Sequence, residues 1–230
     1  MTLEIQASGS PLALISDDAN RQENRILEHP VWAAVFNGTL PKARLKRLLL
    51  AILPAVAGPG RYAFAAKISQ IDAQDGKALF MQLFDATKDP EANADEGWRR
   101  VLIGLGASDR EIRAALTTPS AEAQDLVDVI RTHGLSSSAV EAAIIAYMLE
   151  RHFPQLWGKL AASLAKHYGV PKAALTYLHH EAQRDDDIDH WIDHLIDKYV
   201  ATAESYVIYE GRRAAREAVW AWTVLIESAA

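Results

Sequence analysis

Residues able to do chemistry crowd into one stretch, Tyr177 to His194, which reads YLHHEAQRDDDIDHWIDH and holds four histidines and five aspartates. On a helix turning by about 100° per residue, His180, Gln183, Asp187, His190 and His194 share one side, while Asp185, Asp186 and Asp189 point elsewhere. Asp187 and His190 are three residues apart, so their side chains meet over one turn. A carboxylate beside an imidazole at that spacing lets one helix give a metal ion two ligands. An isolated Asp-x-x-His pair also belongs to many solvated acidic faces, and spacing alone leaves that alternative open.

Two other places carry candidate side chains. Glu150 closes the apolar run VEAAIIAYMLE. A carboxylate buried at the end of such a run needs an arginine, a metal or a proton, whereas one at the surface needs only Arg151 or Lys159. The segment LPAVAGPGRYAFAA, from Leu53, breaks one helix with Pro and Gly and opens the next with Arg61 and Tyr62. The Arg61 guanidinium can fork onto a substrate carboxylate and the Tyr62 hydroxyl can face a pocket. Packing of the aromatics is the simpler alternative.

Composition bounds what such residues can serve. The chain has 230 residues, half of them apolar, enough for one large core. With 24 basic against 30 acidic residues the net charge is −6, which disfavours nucleic acid and anionic lipid as partners. There is no cysteine, so disulfides, thiolate nucleophiles and thiolate metal sites are excluded, and a metal must be held by Asp, Glu and His. No signal-peptide pattern opens the chain. Its longest apolar stretch is interrupted by Pro54 and Pro59 and falls short of the roughly 18 residues of a membrane span. A soluble, cytoplasmic protein is the expectation.

The elements that must position these groups read as helices throughout. Ser108 with Glu111 and Ser138 with Glu141 fit capping boxes, Pro41, Pro119 and Pro171 suit first turns, and Gly106, Gly134 and Gly169 mark stops. Apolar spacings of three and four then predict helices over residues 17–29, 41–53, 60–71, 76–87, 95–105, 109–117, 120–133, 138–151, 154–167, 172–185, 187–203 and 204–227. With short connections and no linker, the expectation is a flexible N-terminus over 1–16 and one all-α bundle over 17–230.

Several blocks resemble the haem-oxygenase-like superfamily, the group of TenA thiaminases, PqqC oxidases and haem-oxygenase-like diiron oxidases. They are HPVWAAVFNGTLPKARLKRLLLAILPAVAGPGRYAF, DEGWRRVLIGLGAS, YMLERHFPQLWGKLAASLAKHYGV and DDDIDHWIDHL, in the family's order. The resemblance implies that helical fold, with a non-haem iron site. Carried over by position, it makes Glu150, Asp187 and His190 metal ligands. The first histidine of the family's late motif falls on Gln183, and its earlier histidine on Ala94, neither of which is a good iron ligand. Asp85 or Asp89 stands near the family's earlier glutamate, and Asp95, Glu96 and His180 are further substitutes.

The function so implied is an oxygen-dependent oxidase or oxygenase, with one or two weakly held iron ions and no haem. Its substrates would be dioxygen and a small amine, amino acid or related biosynthetic metabolite, bound with help from Arg61 and Tyr62. A metal-free PqqC-like oxidase and a non-catalytic binding protein are the alternatives. Thiaminase activity is disfavoured because it needs a cysteine. The last helix, with Tyr206, Tyr209, Trp220, Trp222 and Ile226, carries enough aromatic surface to predict a homodimer, packing inside the same subunit being the alternative.

Overall fold

Where the chain turns is set by a few side chains that satisfy helix ends. His29 does so first: its Nδ1 accepts from the Val31 amide at 3.3 Å and Pro30 fills the first turn, which starts helix α1, Pro30–Phe36. The helix predicted over residues 17–29 ends at His29, and none is predicted over Pro30–Phe36. A proline at the first helical position costs no hydrogen bond, and that is the signal for α1.

A computed structural model describes residues 26–57, 93–136, 153–183 and 203–229, with residues 13, 15, 17, 21, 74, 77, 138, 140, 141, 144, 194 and 198–200. After α1 come α2 (Lys42–Val56), α3 (Ala94–Gly104), α4 (Asp109–Thr117), α5 (Ala121–Ser136) and α6 (Phe153–His167). A 3-10 turn (Lys172–Ala174), α7 (Thr176–Ala182) and the long α8 (Ser205–Ala229) follow. No strand occurs among the described residues, as the helical spacing predicts.

Helix α2 is the hub. Leu45, Leu48, Leu49 and Ile52 are fully buried on it, at spacings of three and four, and α3, α4, α5 and α8 all pack against it. Its end departs from expectation, because Pro54 lies inside the helix instead of stopping it. In the last turn a proline forfeits a single backbone bond, and the Ala57 amide closes the turn on Leu53 at 2.9 Å. Gly134 likewise fails to stop α5, which runs on to Ser136. Its last turn is held by His133, whose ring nitrogens lie 3.8 Å from Glu141 and 3.4 Å from Glu217 of α8.

The loop after α1 shows why sequence and packing agree there. Gly38 has φ +70°, and a Cβ on it would meet the His167 ring at 2.6 Å, so glycine is needed on both counts. Beside it the buried Tyr168 hydroxyl donates to the Leu40 carbonyl at 3.1 Å and reaches the Val35 carbonyl at 3.4 Å. Burial pushes this hydroxyl above its ordinary pKa, which keeps the donor neutral.

The capping box of α4 is the one read from sequence. Ser108 Oγ accepts from the Glu111 amide at 3.3 Å, and the Ser108 amide donates to Glu111 Oε2 at 2.7 Å. Lys46 of α2 donates to Glu111 Oε1 at 2.8 Å, and chiefly through that bond the carboxyl pKa falls to about 2. A carboxyl whose folded pKa is depressed adds stability above its ordinary value of 4.5 and loses it as pH drops towards about 2. Glu111→Gln is therefore expected to unfold more easily than the parent at neutral pH, with the gap closing between pH 4.5 and about 2 in denaturant titrations.

Candidate functional site

Five aromatic rings form a continuous wall through the middle of the bundle. Tyr177 of α7 lies 6.3 Å from Trp98 of α3, and Trp98 meets Trp157 of α6 edge-on at 5.2 Å. Trp157 stacks on Phe153 at 5.2 Å, and Phe153 sits 5.4 Å from Trp222 of α8. Close backbone approach makes the wall possible: a Cβ at Gly97 would meet the Tyr177 side chain at 2.3 Å, and one at Gly158 would meet Ala182 at 3.3 Å. These rings have offset and edge contacts that favour aromatic pairs and exclude water.

Two polar features accompany the wall. Glu181, on the same inward face of α7 as Tyr177 and Leu178, is 7% exposed. The indole N–H groups of Trp222 and of Trp32 on α1 are buried and have no hydrogen-bond partner among the described residues. The sequence patterns that point to metal ligands do not single out Glu181. The signal for it was the spacing of Glu181 four residues after Tyr177 and three after Leu178, one turn along one face.

Of the predicted shared face of the late helix, His180, Gln183 and His194 are described, while Asp187 and His190 lie outside the described residues. A continuous helix over residues 172–185 would align His180 and Gln183 with the residues that follow, but the chain forms a 3-10 turn and then α7, which ends at Ala182 with Gln183 as its cap. Packing of Tyr177, Leu178 and Glu181 inward sends His180 and Gln183 out, and both are exposed, as is His194. For these three the solvated-face alternative is the observed one.

The substitutes proposed near Trp98 also face outward. Asn93 caps α3, its side chain accepting from the Glu96 amide at 3.0 Å, so Asp95 and Glu96 occupy the first turn, where carboxylates suit the helix dipole. Asp95 is exposed. Glu96 is paired with Arg100 at 3.4 Å and Arg99 at 3.7 Å. Ala94, at the position of the family's histidine, is 2% exposed and packed in the core. Glu150, Asp187, His190, Arg61, Tyr62, Asp85 and Asp89 lie outside the described residues. Among the described residues, no three metal-ligating side chains form a group.

A shallow groove of about 430 Å³ lies elsewhere, between α2, α4, α5 and the end of α8. Arg47, Glu111, Thr118, Ser120 and Glu122 line it. Glu111 there is already committed to Lys46 and Ser108. No helix of the described residues is long and apolar enough to cross a membrane.

Neither a family model nor a curated protein matches the chain. Among solved structures it is similar to a TenA homologue protein from P. horikoshii OT3, with a TM-score of 0.60 and 14% identity. That likeness covers 96% of this chain and 98% of the other, so the arrangement of helices is TenA-like and haem-oxygenase-like along almost the whole length.

Proposed function

We propose that the chain is an oxygen-dependent oxidase or oxygenase of a small amine, amino acid or related biosynthetic metabolite. It holds one non-haem iron ion, not two, through Glu150, Asp187 and His190. The order of sequence blocks supports this reading, and what favours a single ion is the place of those remaining ligand candidates that are described, Asp85 and Asp89 not being among them. Ala94 offers a buried methyl group, Gln183 and His180 lie in solvent, Asp95 is exposed and Glu96 is bound to arginines. The described residues therefore do not fit a second ion.

Iron held by two carboxylates and one imidazole supplies open coordination positions for dioxygen. The protein's own part is to bind and orient the substrate. Arg61 is the proposed clamp for a carboxylate and Tyr62 a hydroxyl donor. A metal-free oxidase is the second reading, favoured by the same loss of ligands at Ala94 and Gln183.

Oxygen consumption tests the choice. With a panel of amines and amino acids, uptake is expected from the iron-loaded protein and not from chelator-treated protein. Equal uptake in both forms would favour the metal-free reading, and none in either would favour a non-catalytic binding protein.

A further inference from the structure

Helix α8 buries Trp222 and Ile226 within its own chain, which corrects the expectation that they serve association. Its last residues, Ser228 and Ala229, help to close the groove between α2, α4 and α5. None of the proposed iron ligands lines that groove.

The groove has an apolar middle and a charge at each end. Leu50 and Ala51 of α2 and Ala114 and Ala115 of α4 line the middle. Lys46, next to Arg47, donates to Glu111 at 2.8 Å, so Arg47 and Glu111 stand at the same end. From Glu111 to Thr118 the chain runs two turns of α4, about 10 Å. It then passes through Pro119 and Ser120 into α5, which places Glu122 at the other end.

At the first end Lys46 neutralises Glu111, and the exposed Arg47 guanidinium remains as the charge. At the second end the half-buried Glu122 carboxylate remains. Neither Arg47 nor Glu122 forms an ion pair or hydrogen bond among the described residues, and the groove's length keeps them from pairing with each other. The C-terminal ends of α4 and α8 also meet at Glu122, and their carbonyls favour a cation there. The start of α5 does not offset this for an incoming anion. Ser120 Oγ already accepts from the Ala123 amide at 3.2 Å, and Glu122 itself stands in the first turn.

We propose that the groove binds a linear amino acid with its carboxylate and ammonium at opposite ends of an unbranched apolar chain. Arg47 forks onto the carboxylate and Glu122 holds the ammonium. The volume of about 430 Å³ falls within the range of small-molecule sites. The apolar middle suits methylene groups, whereas the amides of a peptide would lose water there without gaining partners. A phosphate would meet two carboxylates beside its one free cation, and a fatty acid or an alkylamine would use only one of the two charges.

The probe is 8-aminooctanoate, with octanoate and octylamine as its halves, titrated into the full chain and followed by amide chemical shifts. Saturable shifts at Leu50, Ala51, Ala114 and Ala115 are expected, with a Kd of about 1 mM or tighter. Each half, which makes one ion pair instead of two, is expected to bind about fivefold more weakly. Arg47→Gln and Glu122→Gln change positions outside the core, and each is expected to weaken the zwitterion by a similar factor. Arg47→Gln is expected to leave octylamine binding as it is, and Glu122→Gln that of octanoate. Absence of saturable shifts at ~10 mM probe, shifts confined to other parts of the chain, halves that bind as tightly as the zwitterion, or an affinity that either variant leaves unchanged would overturn the proposal.

Discussion

Trp98→Ala is expected to lower the stability of the chain by about 3–5 kcal/mol, a large part of the ~5–15 kcal/mol that holds a domain folded. Trp98 is 1% exposed and joins two partners, Trp157 at 5.2 Å and Tyr177 at 6.3 Å. Its removal leaves a cavity among α3, α6 and α7, where Gly97 of α3 already lies directly against the Tyr177 side chain of α7, which limits how far the helices can close. For a chain of this length the loss corresponds to about 10–15 °C in the midpoint of thermal unfolding followed by circular dichroism. Trp98→Phe keeps an aromatic edge for Trp157 and is expected to cost less than half as much. A shift under about 3 °C for the alanine variant would mean that the aromatic wall is not central to the core.

What the sequence made legible was mostly local. Helix α4 and its capping box follow from Ser108 and Glu111, because the two residues satisfy each other's amides without help from the rest of the chain. The central burial of α2 follows from its three-and-four spacing of leucines for the same reason. Features decided by packing were harder to read. Whether Pro54 stops a helix depends on how many turns remain after it, and whether Gly134 does so depends on what holds His133.

The face of the late helix shows the same limit at the candidate site. Angular arithmetic tells which residues share a side of a helix but not which side packs inward, and on α7, which ends at Ala182, Tyr177 and Leu178 decide that. His180 and Gln183 thus went to solvent, while Glu181, one residue away, took the inward position. The last helix was half legible: its aromatic spacing is plain in the sequence, but only burial separates Trp220 from Trp222.

Bound iron per chain tests the central claim most directly. After anaerobic loading with ferrous iron and removal of excess, the parent is expected to hold close to one iron per chain, released by a moderate chelator. Glu150, Asp187 and His190 are the three proposed ligands, and the described substitutes for the others are exposed or paired with arginines. His190→Ala is expected to lose the ion and all iron-dependent turnover together, because two carboxylates without the imidazole hold divalent iron poorly. A metal count near zero for His190→Ala at unchanged thermal stability, beside a count near one for the parent, is the predicted result. Two ions per chain in the parent, or one ion retained after His190→Ala, would contradict it.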